Sequence, residues 1–376
     1  MIELDDIFRR YGPEYLEQFS HKMLPSHRRA IHDIANCRTG EFGGHIDSCK
    51  ECGYTHLFFH SCSNRSCPKC HANHTQKWLA KRKPTLLQAP YFHVVFTLPS
   101  ELRRIVRSNQ APLYNCLFRA ATYALSKLMA DSRFAGGIPG MLAVLHTWTR
   151  TMEYHPHAHY LLPAGVISKD RLQWNPIKRK KFLVPIKILS SIFRARFMKL
   201  ARKELPDVTF PQSVWKKQWV VYPKPFEKGG EKVLEYLSRY VHRIAISNQR
   251  ILDDNNGKIT FKYQNSKTAE WKKMTLPAFE FMRRFLQHVL PRGFHKIRYY
   301  GFLTPKYKQT FYLLKSILEA DQEASGRNTA DKSEVSDKDH YYRKCPKCKS
   351  GIMVVNVHFF YTKTTLLFVR PPPCKK

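Results

Sequence analysis

The sequence predicts an α+β fold, in which a mainly antiparallel sheet with flanking helices follows a small domain folded around metal. Two observations support this prediction. Helical and strand-like apolar patterns are mixed along the chain, and at least two strands read as a hairpin. Six of the ten cysteines fall between Cys37 and Cys70, where the apolar periodicity gives way to Gly, Cys, His and Asn. The sequence contains no internal repeat, so it does not indicate a repeat architecture.

Composition narrows the class of partner. The 376 residues include 64 Lys and Arg against 29 Asp and Glu, which gives a net charge of +35, and 43% are hydrophobic. Such a chain can bury a core, and its charge predicts a polyanionic partner, most commonly nucleic acid. A membrane surface is the alternative.

The chain shows no secretory signal and no apolar run near the ~20 residues that a membrane span needs. We therefore expect a soluble, cytoplasmic protein that is associated with the nucleoid through DNA and has no membrane partner. Cysteines in such a chain indicate metal ligands rather than disulfides.

Five segments are predicted from the changes in pattern. Residues 1–36 form a helical N-terminal segment, and residues 37–76 form a zinc-binding domain. Residues 77–320 form the main domain. Residues 321–340 have almost no large apolar side chain, which predicts a flexible linker. Residues 341–376 form a C-terminal Cys-x-x-Cys appendage.

Strands and helices alternate irregularly within the main domain. The predicted strands are 91–99, 143–149, 157–163, 219–223 and 258–263, and the predicted helices are 100–131, 185–204, 231–244 and 277–288. A short turn joins strands 143–149 and 157–163 into a hairpin. This order favours an antiparallel sheet over a doubly wound fold.

Two Cys-x-x-Cys pairs, Cys49/Cys52 and Cys67/Cys70, are separated by fourteen residues. This spacing suits one tetrahedral four-cysteine Zn²⁺ site with a structural role. Gly53 follows the first pair and is expected to adopt a positive φ, which turns the thiolates toward the metal. A redox role is less consistent with two such pairs.

A second site could be formed by four other residues of the same segment: Cys37, His45, His60 and Cys62. The alternative is a buried free cysteine with surface histidines hydrogen-bonded to neighbouring asparagines. In the C-terminal appendage, Cys345-Pro-Lys-Cys348 could be half of another zinc ribbon.

A histidine-rich strand follows the hairpin turn. Alternate residues of a strand share a face, so His155, His157 and His159 point the same way, and imidazoles about 7 Å apart can converge on one divalent ion. If the turn centres just before Glu153, His146 lies opposite His159 and is the preferred third ligand, with Glu153 as the alternative. Bound Mg²⁺ or Mn²⁺ could polarise a scissile phosphate. A solvated histidine-rich hairpin is the other interpretation.

The predicted helix 231–244 carries Tyr236 and Tyr240 on its polar, cationic side, about 5 to 6 Å apart. A tyrosinate could attack a DNA phosphorus and hold the cleaved end as a phosphotyrosine. The same side has three basic residues that could bind phosphates: Lys232, Arg239 and Arg243. Aromatic packing, or base stacking without chemistry, is the alternative.

These motifs resemble the rolling-circle transposases of bacterial insertion sequences, of the HUH class, two-tyrosine group and IS91 type. The likeness extends over most of the chain and rests on several motifs in the family's order: Cys37-Arg-Thr, Gly43-Gly-His45, Asn64-Arg-Ser-Cys-Pro-Lys-Cys70, Tyr91-Phe-His-Val-Val-Phe-Thr-Leu-Pro99, His155-Pro-His-Ala-His159, Tyr236-Leu-Ser-Arg-Tyr240 and Gly293-Phe-His-Lys-Ile-Arg298-Tyr-Tyr-Gly-Phe302.

The resemblance implies a zinc-binding domain followed by an HUH endonuclease domain, an antiparallel sheet with flanking helices. It implies that His157 and His159 bind the catalytic metal. Tyr236 and Tyr240 would form 5′-phosphotyrosine links to single-stranded DNA at transposon ends, which are then joined to target DNA. A replication initiator with the same chemistry and a noncatalytic zinc-dependent DNA-binding protein are the alternatives.

Overall fold

The computed structural model describes residues 2–70, 78–80, 82, 86–171, 173–177, 183–226, 244–265, 268–324, 343–361 and 366–369. Residues 231–243 of the predicted tyrosine helix lie outside the described residues. They include five predicted site residues: Lys232, Tyr236, Arg239, Tyr240 and Arg243.

The described elements mix helices with antiparallel strands, as predicted. The α-helices are α1 (Leu4–Phe19), α2 (Pro25–Ala35), α3 (Arg103–Ser108), α4 (Gln110–Met129), α5 (Ile186–Glu204), α6 (Ser213–Lys216), α7 (Ala278–Leu286) and α8 (Lys308–Ala324). The strands are β1 (Gly44–Cys49), β2 (Thr55–Phe59), β3 (Tyr91–Thr97), β4 (Ile138–Trp148), β5 (Tyr154–Pro163), β6 (Gly165–Ile167), β7 (Trp174–Pro176), β8 (Val221–Phe226), β9 (Ile251–Asn255), β10 (Lys258–Gln264), β11 (Trp271–Pro277), β12 (Ile297–Gly301), β13 (Met353–Tyr361) and β14 (Leu366–Val369). Among these helices, none combines the length and hydropathy that a membrane crossing requires.

The central sheet has seven strands, with the predicted hairpin β4–β5 in its middle. Strand β5 pairs with β3, which pairs with β8. The other edge of β4 pairs with β12 and, at its start, with β6, which pairs with β7. Each of these pairings is antiparallel, which confirms the predicted fold class.

Helices α4 and α5 cover one face of the central sheet. Phe193 of α5 packs edge-on against Phe96 of β3 and Trp219, with ring centroids 5.0 and 5.3 Å apart. Tyr160 of β5 is fully buried there and donates a hydrogen bond to the Phe118 carbonyl oxygen. Because strand residues alternate, the neighbouring His157 and His159 lie on the opposite face of the sheet.

A second apolar core joins the N-terminal helices to the three-stranded sheet β9–β10–β11 and helix α7. Phe8 of α1 packs edge-on against Phe285 of α7, with ring centroids 5.4 Å apart. Arg10 forms an ion pair with Asp254 at 2.7 Å. The N-terminal segment is therefore packed against the body of the protein.

The four-stranded sheet combines strands from both ends of the chain, in the order β14–β13–β1–β2. The C-terminal segment predicted as a separate appendage thus pairs with the predicted zinc-binding segment. Strands β1 and β2 were not predicted, because their residues lack a regular alternation of apolar and polar side chains. Helix α8 continues to Ala324, into the predicted linker 321–340, and residues 325–342 lie outside the described part of the chain.

Candidate metal centres

Three histidines converge on the face of the central sheet opposite α4 and α5. The centroid of the His146 ring is 5.6 Å from that of His157 and 4.5 Å from that of His159. The centroids of the His157 and His159 rings are 4.9 Å apart. One ring nitrogen from each histidine lies within 4.8 Å of the other two. His146 and His159 are buried, and His157 is partly exposed.

The strand register differs from the predicted one, although the shared face is as expected. His146 lies opposite His157, and Val144 lies opposite His159. The predicted partner of His146 was His159, which is wrong by two residues. The difference arises because the turn centres on Thr151, between the hydrogen-bonded Thr149 and Glu153, and not just before Glu153. A one-residue irregularity between His146 and Trp148 removes part of this offset. The remaining shift is two residues, an even number, so the histidines keep the same face of the sheet.

Hydrogen bonds orient two of these imidazoles. His157 Nδ1 lies 2.6 Å from the His155 carbonyl oxygen, so Nδ1 is the donor and Nε2 keeps the lone pair. His159 Nδ1 lies 2.8 Å from Nε2 of His93 in β3. Burial, with Lys224 nearby, lowers the pKa of His93 to about 4, so His93 is neutral. Such outer partners fix the ring orientation of metal ligands.

The donor set fits a divalent ion with open coordination positions. Three imidazole nitrogens from one face leave room for a phosphate oxygen and water, and imidazole donors suit Zn²⁺ better than Mg²⁺, which prefers oxygen ligands. His155 lies on the same face, but its Nδ1 contacts the Arg103 guanidinium at 3.0 Å. Glu153, the alternative third ligand, is exposed in the turn and does not belong to the cluster.

The first cysteine cluster consists of Cys37, Cys62, Cys67 and Cys70. The Sγ atoms of Cys37 and Cys62 lie 3.7 and 3.6 Å from Sγ of Cys70. A tetrahedral ion with Zn–S bonds of about 2.3 Å requires S···S separations of about 3.8 Å. The cluster therefore has the size of a zinc site.

Arg65 anchors this cluster to the rest of the protein. Its guanidinium donates to the carbonyl oxygens of Phe294 at 2.6 Å and Pro291 at 2.5 Å. The segment between Cys62 and Cys67 is thereby attached to the chain just before β12.

The second cysteine cluster consists of Cys49, Cys52, Cys345 and Cys348. The Sγ atoms of Cys49 and Cys348 are 3.7 Å apart, and those of Cys52 and Cys345 are 3.6 Å apart. These separations again match a tetrahedral zinc ion. The Gly351 amide donates to Cys348 Sγ at 3.3 Å and lowers the pKa of that thiol to about 6, which favours the thiolate.

Both predicted groupings of zinc ligands therefore need correction. Cys49 and Cys52 do not share a site with Cys67 and Cys70, because the pairing of β1 with β13 brings the C-terminal Cys-x-x-Cys pair to them. The predicted mixed site is also wrong. Its cysteines, Cys37 and Cys62, complete the first cluster, while its histidines, His45 and His60, lie near His358 instead.

The roles of His93 and His358 were not predicted from the sequence, nor was the link of Cys345 and Cys348 to the N-terminal cysteines. The third Cys-x-x-Cys pair was visible, but spacing alone cannot tell which two of three such pairs meet. His93 lay in a strand interpreted only as a buried core segment. No local signal could have identified its role, because His93 meets His159 only through the pairing of β3 with β5.

A basic cleft borders the hairpin turn at Glu153 and Tyr154. Arg103, Arg104 and Arg107 from α3 line it together with Arg284 of α7. Arg104 and Arg107 are exposed, whereas Arg284 pairs with Glu280 at 2.8 Å. Exposed guanidinium groups suit the binding of phosphates.

Comparison with known proteins agrees with this arrangement. A family model described as "Transposase zinc-binding domain" matches residues 7–98, and one described as "Putative transposase" matches residues 140–310. The first match contains the two N-terminal Cys-x-x-Cys pairs, which supports structural zinc. The second contains the histidine strand.

Two curated relatives are similar over much of the chain. "Putative transposase y4qJ" of Sinorhizobium fredii (strain NBRC 101917 / NGR234) is 38% identical over 379 residues, which cover 94% of each chain. "Transposase for insertion sequence element IS801" of Pseudomonas savastanoi pv. phaseolicola is 28% identical over 274 residues, covering 67% of this chain and 63% of the relative. No solved structure matches. The chain therefore belongs to the family of IS91-type transposases.

Proposed function

We propose that this transposase nicks and joins single-stranded DNA through 5′-phosphotyrosine intermediates, in a rolling-circle type of transposition. The observation that carries the proposal is the convergence of His146, His157 and His159 on the face of the central sheet opposite α4 and α5. A transposase needs a site at which a phosphodiester bond is broken, and a cleft lined by arginines borders the turn of the hairpin that carries this cluster.

The three histidines would hold one divalent ion, and that ion would polarise the scissile phosphate when bound. The His155 carbonyl oxygen holds His157 Nδ1, so Nε2 faces the cluster. His93 does the same for His159 from the neighbouring strand. These two contacts position the ligands before DNA binds, which lowers the free energy needed to organise the site.

Tyr236 and Tyr240 would supply the nucleophiles. Each hydroxyl loses its proton, the phenolate oxygen bonds to phosphorus, and the bond from phosphorus to the 3′ oxygen breaks to leave a 3′-hydroxyl. The cleaved strand stays attached as a 5′-phosphotyrosine, which the 3′-hydroxyl of another strand can later attack. Two tyrosines allow two such cleavages without hydrolysis of the first intermediate. Their role rests on the sequence spacing.

Basic side chains would hold the DNA backbone. Arg104 and Arg107 are exposed in the cleft at the hairpin turn, and Lys232, Arg239 and Arg243 accompany the tyrosines in the sequence. With a net charge of +35, binding should weaken steeply as salt rises, because each phosphate contact releases counterions.

The tyrosine assignment is tested with a single-stranded oligonucleotide that carries the end of the element. Incubated with Mn²⁺ or Mg²⁺, the protein should form a covalent adduct that survives denaturing electrophoresis. The double variant Tyr236→Phe/Tyr240→Phe should form none, because no hydroxyl can attack. Tyr123→Phe, an exposed tyrosine of α4, is the control. An unchanged adduct in the double variant refutes the assignment.

The histidine assignment is tested by separating cleavage from binding. His157→Ala should lower adduct formation by about 100-fold or more, since loss of an outer partner alone typically costs about 10- to 100-fold. DNA retention should stay nearly unchanged because it rests on many phosphate contacts. His155→Ala, on the same face but outside the cluster, should keep most of the cleavage. If the wild-type protein binds the DNA and leaves it intact with every metal, a noncatalytic role is supported instead.

A further inference from the structure

A third group of histidines lies on the four-stranded sheet, away from both cysteine clusters. His45 of β1 lies opposite His358 of β13, and His60 follows β2. The His45 ring centroid is 5.4 Å from that of His60 and 5.7 Å from that of His358. One ring nitrogen from each histidine lies within 4.8 Å of the others.

Neighbouring groups orient two of these rings so that their lone pairs face each other. His60 Nδ1 lies 3.2 Å from the Phe42 carbonyl oxygen, which can only accept, so His60 Nε2 carries a lone pair. His45 Nε2 faces the buried carboxylate of Asp47 at 3.5 Å, an arrangement that places the proton on Nε2 and the lone pair on Nδ1.

The two nitrogens that carry these lone pairs, His45 Nδ1 and His60 Nε2, are 3.3 Å apart. With these tautomers no hydrogen atom lies between them, and a cation would turn the repulsion into coordination. A tetrahedral ion with metal–nitrogen bonds of about 2.0 to 2.1 Å requires nitrogens about 3.3 to 3.4 Å apart. The observed separation is therefore that of two ligands on one ion.

We propose that His45, His60 and His358 bind a third Zn²⁺ ion, with its fourth position open to solvent. Imidazole nitrogens suit zinc, and the three side chains are partly exposed, so the ion can enter and keep a water molecule. The Phe58 ring stacks on His45 with centroids 5.3 Å apart and forms an apolar wall beside the site.

The position of the site gives the ion a role in holding the sheet together. Strand β1 is antiparallel to β13, with Cys49 opposite Met353 at one end and His45 opposite His358 near the other. The second cysteine cluster ties the two strands at the first end. The histidine site would tie them at the second, about 13 Å further along the strand.

The same surface could instead stack nucleic acid bases on its rings. That alternative needs the aromatic character of His358 and no ligand atom, whereas a metal site needs the nitrogen. Replacing His358 by Phe keeps the ring and removes the ligand, so it distinguishes the two.

The test counts zinc atoms in the full-length protein. The parent carries His157→Ala/His159→Ala, so that the catalytic cluster holds no ion and the result does not depend on the proposed function. After saturation with Zn²⁺ and desalting, elemental analysis should find three zinc ions per chain. His358→Phe in this parent should leave two, and so should His60→Phe. The control His56→Phe, an exposed histidine of β2, should keep three.

A parent that holds only two zinc ions overturns the proposal, whatever the variants do. It is also overturned if the parent holds three and both His358→Phe and His60→Phe keep three. Loss of one ion in either variant, with the control unchanged, supports the site. Weakened binding of single-stranded DNA by His358→Ala but not by His358→Phe, with zinc content unchanged in both, would assign the surface to base stacking instead.

Discussion

The central sheet and the four-stranded sheet are held together by different means. The central sheet buries large side chains such as Phe96, Tyr160 and Phe193 under α4 and α5. The four-stranded sheet has a small core of Cys49, Cys345, Met353 and Phe359, and most of β2 is exposed. It also joins segments far apart in the chain, since Cys49 and Cys348 are separated by 299 positions. Bringing together segments this far apart costs conformational entropy, and the small core does not offset that cost. We therefore infer that metal ligation offsets it.

The largest expected effect is the loss of the second cysteine cluster. Cys348→Ser should remove one zinc ion per chain and open the pairing of β1 with β13, because structural zinc contributes about 10 to 16 kcal/mol of apparent binding free energy in small domains. Hydrogen exchange should accelerate in β1 and β13 and stay slow in β4 and β5.

Cys116→Ala is the matched control, because this buried cysteine lies in the central core and in neither cluster. It should keep the full zinc content and the slow exchange of β13. Unchanged exchange in β13 after Cys348→Ser would mean that hydrogen bonds alone hold the four-stranded sheet.

A smaller effect is expected from a substitution in the core of the central sheet, and it should leave the four-stranded sheet unchanged. Phe193→Ala should lower the free energy of unfolding by about 3 to 5 kcal/mol, since it leaves a cavity between Phe96 and Trp219. Denaturant unfolding followed by tryptophan fluorescence measures this, and the zinc content should not change.

Ile188 on the same helix is 49% exposed, so Ile188→Ala should change stability by less than about 0.5 kcal/mol. Loss of zinc from Phe193→Ala would show that the two regions unfold as one unit, which contradicts the distinction drawn between them.

The smallest expected effect concerns the two turns that follow the ligand pairs of the second cluster. Gly53 has φ +68° with open space where a Cβ would lie, and Lys349 adopts φ 60° at the equivalent position after Cys348. Gly53→Ala should destabilise the cluster by about 1 kcal/mol, and Lys349→Gly should stabilise it by somewhat less, because a side chain is disfavoured in the left-handed region.

Competition with a zinc chelator measures both changes as shifts in the concentration that removes half of the zinc. Equal shifts in the same direction for the two variants would show that backbone conformation does not control ligation.

Much of the fold could be predicted from local patterns. The long helices α4 and α5, the strands β3 and β10 and the hairpin β4–β5 all carry strong apolar periodicity, and the structure places them within a few residues of the predictions. The positive φ of Gly53 was also predicted correctly. Strands β1, β2 and β13 were not predicted, because their stability depends on metal ligation and on their pairing with one another.

Part of the candidate site could be predicted because it also depends on local patterns. The alternation of a strand places His157 and His159 on one face whatever the rest of the fold does, and His146 follows once the hairpin is recognised. The hydrogen-bond partner His93 could not be inferred, because it reaches His159 only through the pairing of β3 with β5.

The sequence by itself determined the fold class, the helices, the hairpin and the shared face of its histidines, because these depend on patterns within one element or two consecutive ones. Only the tertiary structure decided which cysteines share a metal and that His358 joins His45 and His60. Three Cys-x-x-Cys pairs are chemically equivalent, and nothing local distinguishes their partners. The pairing of β1 with β13 distinguishes them, because it brings the C-terminal pair, Cys345 and Cys348, to Cys49 and Cys52.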